Sequence, residues 1–279
     1  MTILVALALG AVTVTFLRVG ASDVLAAPAL ARRNYRDQSV PTAGGVLIVL
    51  GVLVVEAGRA VTGAMGFGDE PGLTLSRSLV LFAVFGFGLL GLVDDLLGED
   101  DARGFRGHVG ALVAGRLTTG FLKLLGGAGV AVVLVATPGF AGGRRLVTDA
   151  LLIALAANLG NLFDRAPGRA IKMSLLAYVP LAFALGSNTV GVALAPVMGA
   201  TLGLLVPDVR ERLMIGDTGA NVIGAVLGLG VVLGLGQTAR TVVLIVVAAL
   251  NIAAELVSFS RVIDRVPPLR ALDRLGQAR

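Results

Sequence analysis

The chain has 279 residues, of which 56% are hydrophobic and only 15% are charged. Soluble domains average about 45–50% apolar and about 25% charged residues, so this composition indicates an integral membrane protein. The sequence contains no cysteine, which excludes disulfide bonds, thiolate metal sites and a cysteine nucleophile. The length suits one membrane domain with short loops, and we expect a single domain over residues 1–279.

Basic residues outnumber acidic ones and give the chain a formal net charge of +5 at pH 7. A basic excess can indicate a nucleic-acid partner, but no basic run interleaved with aromatic residues occurs here. In membrane proteins, basic residues concentrate in the cytoplasmic loops. We therefore expect membrane lipids around this protein and no nucleic-acid partner.

Apolar stretches of about 20 residues, the length that crosses a bilayer as a helix, predict the fold class. Because backbone polar groups in hydrocarbon must be satisfied within their own segment, each stretch should be a helix. We therefore predict an all-α, polytopic helical bundle with about nine transmembrane helices. No basic residue precedes the first apolar run, so we interpret it as a retained helix and not as a signal peptide. The predicted spans are 2–20, 43–63, 77–95, 120–138, 147–164, 172–187, 189–206, 218–236 and 239–259.

The distribution of Lys and Arg predicts the orientation of these spans. With the amino terminus outside, the inside segments lie near 21–42, 95–119, 164–171, 207–217 and from 260 onward. Basic residues concentrate inside, which predicts a cytoplasmic carboxyl terminus and an active site that faces the cytoplasm of a prokaryotic cell. The inside group is Arg18, Arg32, Arg33, Arg36, Arg103, Arg106, Arg116, Lys123, Arg165, Arg169, Lys172, Arg210, Arg212, Arg261, Arg265, Arg270, Arg274 and Arg279. The outside group is Arg59, Arg77, Arg144, Arg145 and Arg240.

Polar motifs stand at the inside ends of the spans. Pro41-Thr42-Ala43-Gly44-Gly45 is typical of a turn into the second helix, with glycines that allow tight packing. The third span ends in Asp94 and Asp95, at a helix C-terminus where the helix dipole disfavours negative charge. A divalent cation or a phosphate proton would offset that cost, because Mg²⁺ binds one or two carboxylates plus substrate phosphates. The alternative is that both residues begin a solvated acidic loop.

The fifth span ends with Asn158, Asn161 and Asp164, whose three-residue spacing places them on one helical face. Polar groups at membrane depth usually face a bundle interior or a wet cavity, which favours a functional role. Hydrogen bonding between helices is the alternative. The turn that follows is suited to anions because it carries Arg165, Arg169 and Lys172.

Two further motifs lie late in the chain. The eighth span opens with Gly216-Asp217-Thr218-Gly219, an acid and a hydroxyl that could also be an ordinary helix N-cap. Glu255 lies inside the apolar ninth span, where it either has a functional role or pairs with Arg261. His108 is the only histidine, and we expect it to be solvated in a basic loop.

Together and in this order, the motifs resemble those of the polyprenyl-phosphate N-acetylhexosamine-1-phosphate transferase superfamily. The resemblance extends from about residue 34 to residue 258, and the combination is specific although no single motif is. It implies transfer of a sugar 1-phosphate from a nucleoside-diphosphate sugar to a polyprenyl phosphate such as undecaprenyl phosphate. Mg²⁺, or alternatively Mn²⁺, would be the cofactor, and the product would be a lipid-linked sugar for a cell-envelope polymer. The resemblance also implies a homodimer.

The resemblance implies roles for individual residues. Asp217, Asp94 and Asp164 would bind the metal. Asp94 and Asp95 would deprotonate or orient the lipid phosphate. Asp164 would be a third catalytic residue and, together with Asn161, would support the donor pyrophosphate. The residues expected to bind substrate are Arg36, Thr42, Lys123, Asn158, Asn161, Arg165, Arg169, Lys172, Thr218 and Glu255.

Two departures separate this chain from the family pattern. The family motif Asp-Gly-x-Asp-Gly corresponds to Asp164-Arg165-Ala166-Pro167-Gly168, so Pro167 replaces the second acid and the donor nucleotide stays open. No histidine follows His108, so the family's histidine-rich loop before the last helix is absent. The alternative function is therefore a scaffold that binds polyprenyl phosphate without transferring sugar. A transporter is a third alternative. It would need broken helices and charges near the midplane of the membrane, whereas the polar motifs of this chain gather at one surface.

Overall fold

The computed structural model describes residues 1–34, 36–67, 72–98, 118–136 and 142–277. Helices make up most of this part of the chain, which confirms the prediction of a polytopic helical membrane protein. The main helices are α1 (Ile3–Gly20), α2 (Ser22–Leu25), α3 (Val46–Ala64), α4 (Leu75–Leu97), α5 (Thr119–Val135), α6 (Gly142–Phe163), α7 (Arg169–Leu185), α8 (Thr189–Val209), α9 (Gly216–Gly234), α10 (Gln237–Leu256), α11 (Phe259–Arg265) and α12 (Pro267–Arg274). A short 3₁₀ helix, Pro28–Leu30, precedes two strands, β1 (Ala31–Arg33) and β2 (Ser39–Pro41).

Each predicted span corresponds to one helix, either α1 or one of α3 to α10. Seven of these helices, α1, α3, α4, α6, α8, α9 and α10, are long and apolar enough to cross a membrane. Helices α5 and α7 are shorter, with 17 residues each. The number of crossings and the orientation therefore stay predictions. Several residues of the predicted loops lie outside the described part of the chain, namely Tyr35, Glu99 to Arg116 with His108, and Arg279.

Two segments differ from the sequence-based expectation. The loop near 21–42 contains an antiparallel hairpin in which Arg32 of β1 pairs with Val40 of β2. The last predicted span ends at Leu256, and the tail then continues as the short helices α11 and α12. Helix α12 begins with two prolines, which the first turn tolerates because its N–H groups have no partner within the helix.

Helix α9 lies at the centre of the bundle. It contacts α4, α6, α7 and α8, and 83% of its apolar stretch is buried, against 6% for α10. A Cβ on Gly91 of α4 would clash with the backbone of Asp217, and one on Gly45 would clash with the backbone of Gly219. These glycines therefore allow the polar ends of α3 and α4 to contact the first turn of α9.

Two groups of charged residues away from the polar motifs form ion pairs inside the bundle. Glu56 of α3 is buried and accepts hydrogen bonds from Arg59 and from Arg77 of α4. Asp149 of α6 pairs with Arg240 of α10 at 3.0 Å. Because a charge without a partner is costly in an apolar interior, these pairs explain how three of the basic residues predicted to lie outside are accommodated.

Candidate functional site

The polar ends of α4, α6, α8 and α9 meet at one end of the bundle and enclose a cavity of about 260 Å³, which we call the acidic cavity. Its walls come from segments that are far apart in the sequence. The predicted site residues that line it are Thr42, Asp95, Asp164, Arg165 and Asp217. The structure thus brings these five predicted residues together at one end of the bundle.

The turn before α3 joins the chain segment that precedes α9. The backbone N–H of Gly44 donates to the carbonyl oxygen of Met214, and that of Gly45 donates to Ile215, both at 2.9 Å. Thr42 lies in this turn and lines the acidic cavity. The turn predicted from the glycines is thus present, and it fixes the position of the first turn of α9.

Asp95 caps helix α9 from outside that helix. One carboxylate oxygen accepts the backbone N–H of Asp217 at 2.9 Å. The other oxygen accepts the backbone N–H of Thr218 at 2.9 Å and the Thr218 hydroxyl at 2.6 Å. The first N–H groups of a helix lack partners within the helix and carry partial positive charge. Contact with the start of α9 therefore offsets the unfavourable position of Asp95 at the end of α4.

The side chain of Asp217 does not cap its own helix. No side chain from the start of α9 itself caps this helix, so the alternative that Asp217 is an ordinary N-cap is wrong. One oxygen of Asp217 instead accepts hydrogen bonds from Lys123 and, at 3.2 Å, from the side-chain amide of Asn161. Because Asp95 already caps α9, the carboxylate of Asp217 can face the cations and polar groups of the site.

Lys123 lies between two carboxylates. Its ammonium group donates to Asp94 at 2.8 Å and also to Asp217. Asp94 belongs to α4, Lys123 to α5 and Asp217 to α9, so this pair of contacts joins three helices. Two carboxylates from different helices thus converge on the position of a single cation.

The ligand chemistry of this cluster fits Mg²⁺, which prefers oxygen atoms and binds proteins through one or two carboxylates plus water and substrate phosphates. Asp94 and Asp217 are the two carboxylates that share one cation position here. Within the described ranges, no three acidic or histidine side chains are grouped closely enough to hold a metal ion. A metal held by these two carboxylates would complete its coordination with water or substrate oxygens.

Asp164 follows the last residue of α6 and lines the acidic cavity. Burial, followed by repulsion from the carboxylates of Asp208, Asp217 and Asp95, raises the pKa of Asp164 well above its usual range. The neighbouring cation Arg165 opposes this shift only in part. Asp164 can therefore exchange a proton closer to neutral pH than an ordinary aspartate.

Asp208, near the end of α8, was absent from the predicted site residues. Its buried carboxylate accepts the backbone N–H of Gly168 at 2.7 Å and that of Ile215 at 3.0 Å. It thereby joins the turn after Asp164 to the segment before Asp217. An acid two residues after the predicted span 189–206, where the helix in fact continues to Val209, is the sequence signal that could have identified it.

The basic turn after α6 contacts the C-terminal tail. The guanidinium of Arg169 donates to both carboxylate oxygens of Asp273, at 2.7 and 2.9 Å. The ammonium of Lys172 donates to the carbonyl oxygen of Asp273 at 2.7 Å. Arg169 and Lys172, both predicted to bind substrate, are therefore bound to α12, while Arg165 is exposed and lines the acidic cavity.

The remaining predicted residues lie further from the cluster. Arg36 pairs with Glu211, which lines the acidic cavity, at 3.4 Å. The side-chain amide of Asn158 donates to Asn251 of α10 at 2.7 Å, which favours the alternative of a hydrogen bond between helices. Glu255 is exposed near the end of α10. Neither Asn158 nor Glu255 lines the acidic cavity, so their roles in substrate binding stay predictions.

Comparison with known proteins gives relatives but no matching family model. The phospho-N-acetylmuramoyl-pentapeptide-transferase of Moorella thermoacetica is 28% identical in an alignment of 261 positions that covers 88% of this chain and 79% of the relative. The protein of the same name from Deinococcus radiodurans is 31% identical in an alignment of 203 positions that covers 68% of this chain and 60% of the relative. That of Desulforamulus reducens is 27% identical in an alignment of 288 positions that covers 95% of this chain and 83% of the relative.

Proposed function

The chain is a divergent member of the polyprenyl-phosphate N-acetylhexosamine-1-phosphate transferase superfamily, and we propose that it transfers a sugar 1-phosphate from a nucleoside-diphosphate sugar to a polyprenyl phosphate. The relatives are named as transferases of phospho-N-acetylmuramoyl-pentapeptide. We propose that the group transferred by the present chain is a phospho-sugar of this class. The observation that carries the proposal is the convergence of Asp94, Lys123 and Asp217 at one end of a membrane bundle.

In the proposed reaction, a phosphate oxygen of the acceptor lipid attacks the donor phosphorus that bears the sugar. The bond from this phosphorus to the bridging oxygen breaks, and the nucleoside monophosphate leaves with the bonding electron pair. Phosphoryl transfer of this kind depends on positioning and on neutralisation of charge, and needs little covalent chemistry from the protein. A cluster of carboxylates, an ammonium and an amide that meet at Asp217, a residue of the acidic cavity, matches that requirement.

Roles in this reaction follow from the contacts of each side chain. We assign Asp94 and Asp217 to hold Mg²⁺, which would neutralise phosphate charge when bound. Lys123, which contacts both, would donate hydrogen bonds to phosphate oxygens, and Asn161 would orient the donor beside Asp217. Asp95 would position Asp217, because both of its oxygens are already bonded to the start of α9.

We assign proton transfer to Asp164. A phosphate monoester loses its second proton with a pKa of about 6, so a fraction of the lipid phosphate arrives as the monoanion. A base works best when its own pKa lies near the operating pH, and burial together with neighbouring carboxylates raises the pKa of Asp164 in that direction. Metal binding by Asp164, which the family resemblance implies, is a separate prediction.

The apolar chain of the acceptor has a place beside the acidic cavity. A cavity of about 490 Å³ lies between α6, α7, α9 and α10, and a smaller apolar cavity shares Phe163, Met173 and Leu250 with it. Phe163 directly precedes Asp164, so the apolar space adjoins the acidic cavity. We assign this space to the first isoprene units of the lipid, because apolar side chains line it and can pack against them.

Ala177 of α7 lines the larger apolar cavity, and Ala177→Trp should fill it. We expect the KM for polyprenyl phosphate to rise about tenfold or more, while binding of the nucleotide sugar stays unchanged, because only the lipid loses its site. Initial rates at varied lipid concentration measure this. Val179→Trp, at an exposed position of the same helix outside the cavity, is the matched control. An unchanged KM in Ala177→Trp would remove this cavity from the acceptor site.

The proposed function is tested by release of nucleoside monophosphate from purified protein with undecaprenyl phosphate and a panel of nucleoside-diphosphate sugars. We expect release with at least one donor, dependent on the lipid, lost with a metal chelator and restored by excess Mg²⁺. The panel includes donors that carry N-acetylmuramoyl-pentapeptide and N-acetylglucosamine. No release with any donor, from protein that still binds the lipid, would favour the scaffold without transferase activity.

A further inference from the structure

The short helix α11 begins at the end of the bundle where two apolar helices end. Helix α10 buries only 6% of its apolar stretch, so most of its surface is left to the surrounding lipid. It ends at Leu256, and α11 begins at Phe259, after Val257 and Ser258. The ring of Phe259 stacks on that of Phe163, the last residue of α6, with 5.1 Å between the ring centroids. Helix α11 therefore lies at the boundary between the apolar spans and the polar end of the bundle.

One flank of α11 is apolar and exposed. Val262 and Val266 are four residues apart, so they share a side of the helix, and they are 40% and 39% exposed. Val262 lines a small apolar cavity together with Leu250 of α10, and Leu256 at the end of α10 is 79% exposed. The buried Ile263 lies on the side of α11 that faces the bundle. Exposed apolar side chains therefore continue from α10 along one flank of α11.

A basic face lies next to this flank. Arg261 and Arg265 are also four residues apart, so both project from one side of α11, and both are exposed. Among the described residues neither guanidinium has an ion-pair partner, and the pair of Arg261 with Glu255 considered from the sequence does not form. Asp264, the acid on this helix, lies 3.6 Å from Arg274 of α12 instead. Two guanidinium groups are thus open to an external anion.

A basic face beside an apolar flank is the pattern of a helix that lies in a membrane interface. Apolar side chains enter the acyl region there, while the long side chains of arginines reach the lipid phosphates. We propose that this surface of α11, formed by Arg261, Arg265, Val262 and Val266, binds anionic phospholipids of the surrounding bilayer. Zwitterionic headgroups carry their own cation, so lipids with a net negative charge, such as phosphatidylglycerol, are the complementary partner. This binding does not depend on the transfer reaction.

Bound lipid would anchor the tail from its outer side. On the inner side, the tail is already held by Arg169, whose guanidinium donates to Asp273 at 2.7 Å and to the Ser260 hydroxyl at 2.7 Å. Contacts on both sides would keep α11 and α12 between the bilayer surface and the turn that follows Asp164. The lipid surface is thus a partner of the C-terminal segment, distinct from the cavity assigned to the acceptor lipid.

The sequence contains no tryptophan, so a single introduced tryptophan reports on its own position. Val266→Trp places one on the proposed surface, and Val179→Trp places one at an exposed position of α7. Each protein is reconstituted in vesicles of equal parts phosphatidylcholine and phosphatidylglycerol, with bromine, a contact quencher, on the chains of one lipid or the other. At position 266, phosphatidylglycerol should be favoured about threefold or more, and this preference should fall at about 1 M salt. Position 179 should show no preference.

Arg261→Gln combined with Arg265→Gln should abolish the preference at position 266 while quenching itself persists. The matched control is Arg144→Gln combined with Arg145→Gln at the start of α6, which removes the same charge. About 27 Å of helix separates that site from Phe163, well beyond the Debye length of about 8 Å at physiological salt. This control should keep the preference.

The same arginine changes in Val179→Trp check that each protein still spans the bilayer, because quenching there should be unchanged. No quenching at position 266 in inserted protein would overturn the inference, since the surface would not contact lipid. Equal quenching by the two lipids, or a preference that survives the loss of Arg261 and Arg265, would overturn it as well. A preference lost equally in the control would assign the effect to net charge and would also reject the inference.

Discussion

Asp217→Asn should reduce Mg²⁺-dependent release of nucleoside monophosphate about 10³-fold or more. The substitution keeps the size of the side chain but removes one of two negative charges that converge on a single cation position. Loss of one preorganised charge contact at a reacting phosphate typically costs about 10²–10³ in kcat, and a weakened metal site adds to that loss. Because Asp95 caps α9 through backbone N–H groups, the variant should fold normally.

The matched control for this prediction is Asp23→Asn, an exposed acid on α2. Turnover should be unchanged in that variant. A second measurement is the rise of the thermal unfolding midpoint with added Mg²⁺, which wild type and Asp23→Asn should show and Asp217→Asn should lack. Wild-type turnover in Asp217→Asn would exclude Asp217 from the reaction and would remove the metal assignment with it.

The adjacent residues Asp94 and Asp95 should behave differently when each is changed to asparagine. Asp94→Asn should lower turnover about 10²-fold or more with little loss of stability, because Lys123 keeps its contact with Asp217. Asp95→Asn removes the charge from three hydrogen bonds to α9, and its side chain has only one accepting oxygen. Because hydrogen bonds to charged groups contribute about 1.5–3 kcal/mol each, the expected loss of unfolding free energy is about 3 kcal/mol.

Thermal unfolding midpoints and turnover, measured on both variants in the same detergent, separate these roles. Thr218→Val removes only the hydroxyl donor and keeps both backbone bonds, so its loss of stability should be smaller, about 1 kcal/mol. Equal losses of stability in Asp94→Asn and Asp95→Asn would contradict the division between them. In that case, the capping of α9 by Asp95 would not be what distinguishes the two residues.

The hairpin and the tail show where the sequence-based prediction stops. Both segments are short and polar, and their structure depends on partners elsewhere in the chain. The tail packs through Arg169 and Asp273, which are 104 residues apart. Neither residue has a local pattern that predicts the other, so α11 and α12 could not be placed against the site from sequence alone.

The polar residues of the fifth span show a different limit. Their spacing correctly places Asn158 and Asn161 on one face of α6, but it does not distinguish their partners. Asn161 contacts Asp217, whereas Asn158, about one turn away, contacts Asn251 of α10. The helix that packs against each turn decides the role of the side chain. Asn161 contacts Asp217 in the site, whereas Asn158 forms a hydrogen bond that joins two helices.

The amino-acid sequence by itself determined the class of protein, the approximate helices and the set of polar segments that meet. Bilayer thickness and the need to satisfy backbone polar groups make each apolar stretch a helix whatever its neighbours are. Only the tertiary structure decided that Asp95 caps α9 while Asp94 faces Lys123, and that Asp208 joins two segments of the site. These contacts require the close approach of α4 to α9 at Gly91, and such packing depends on the shapes of surfaces distant in sequence.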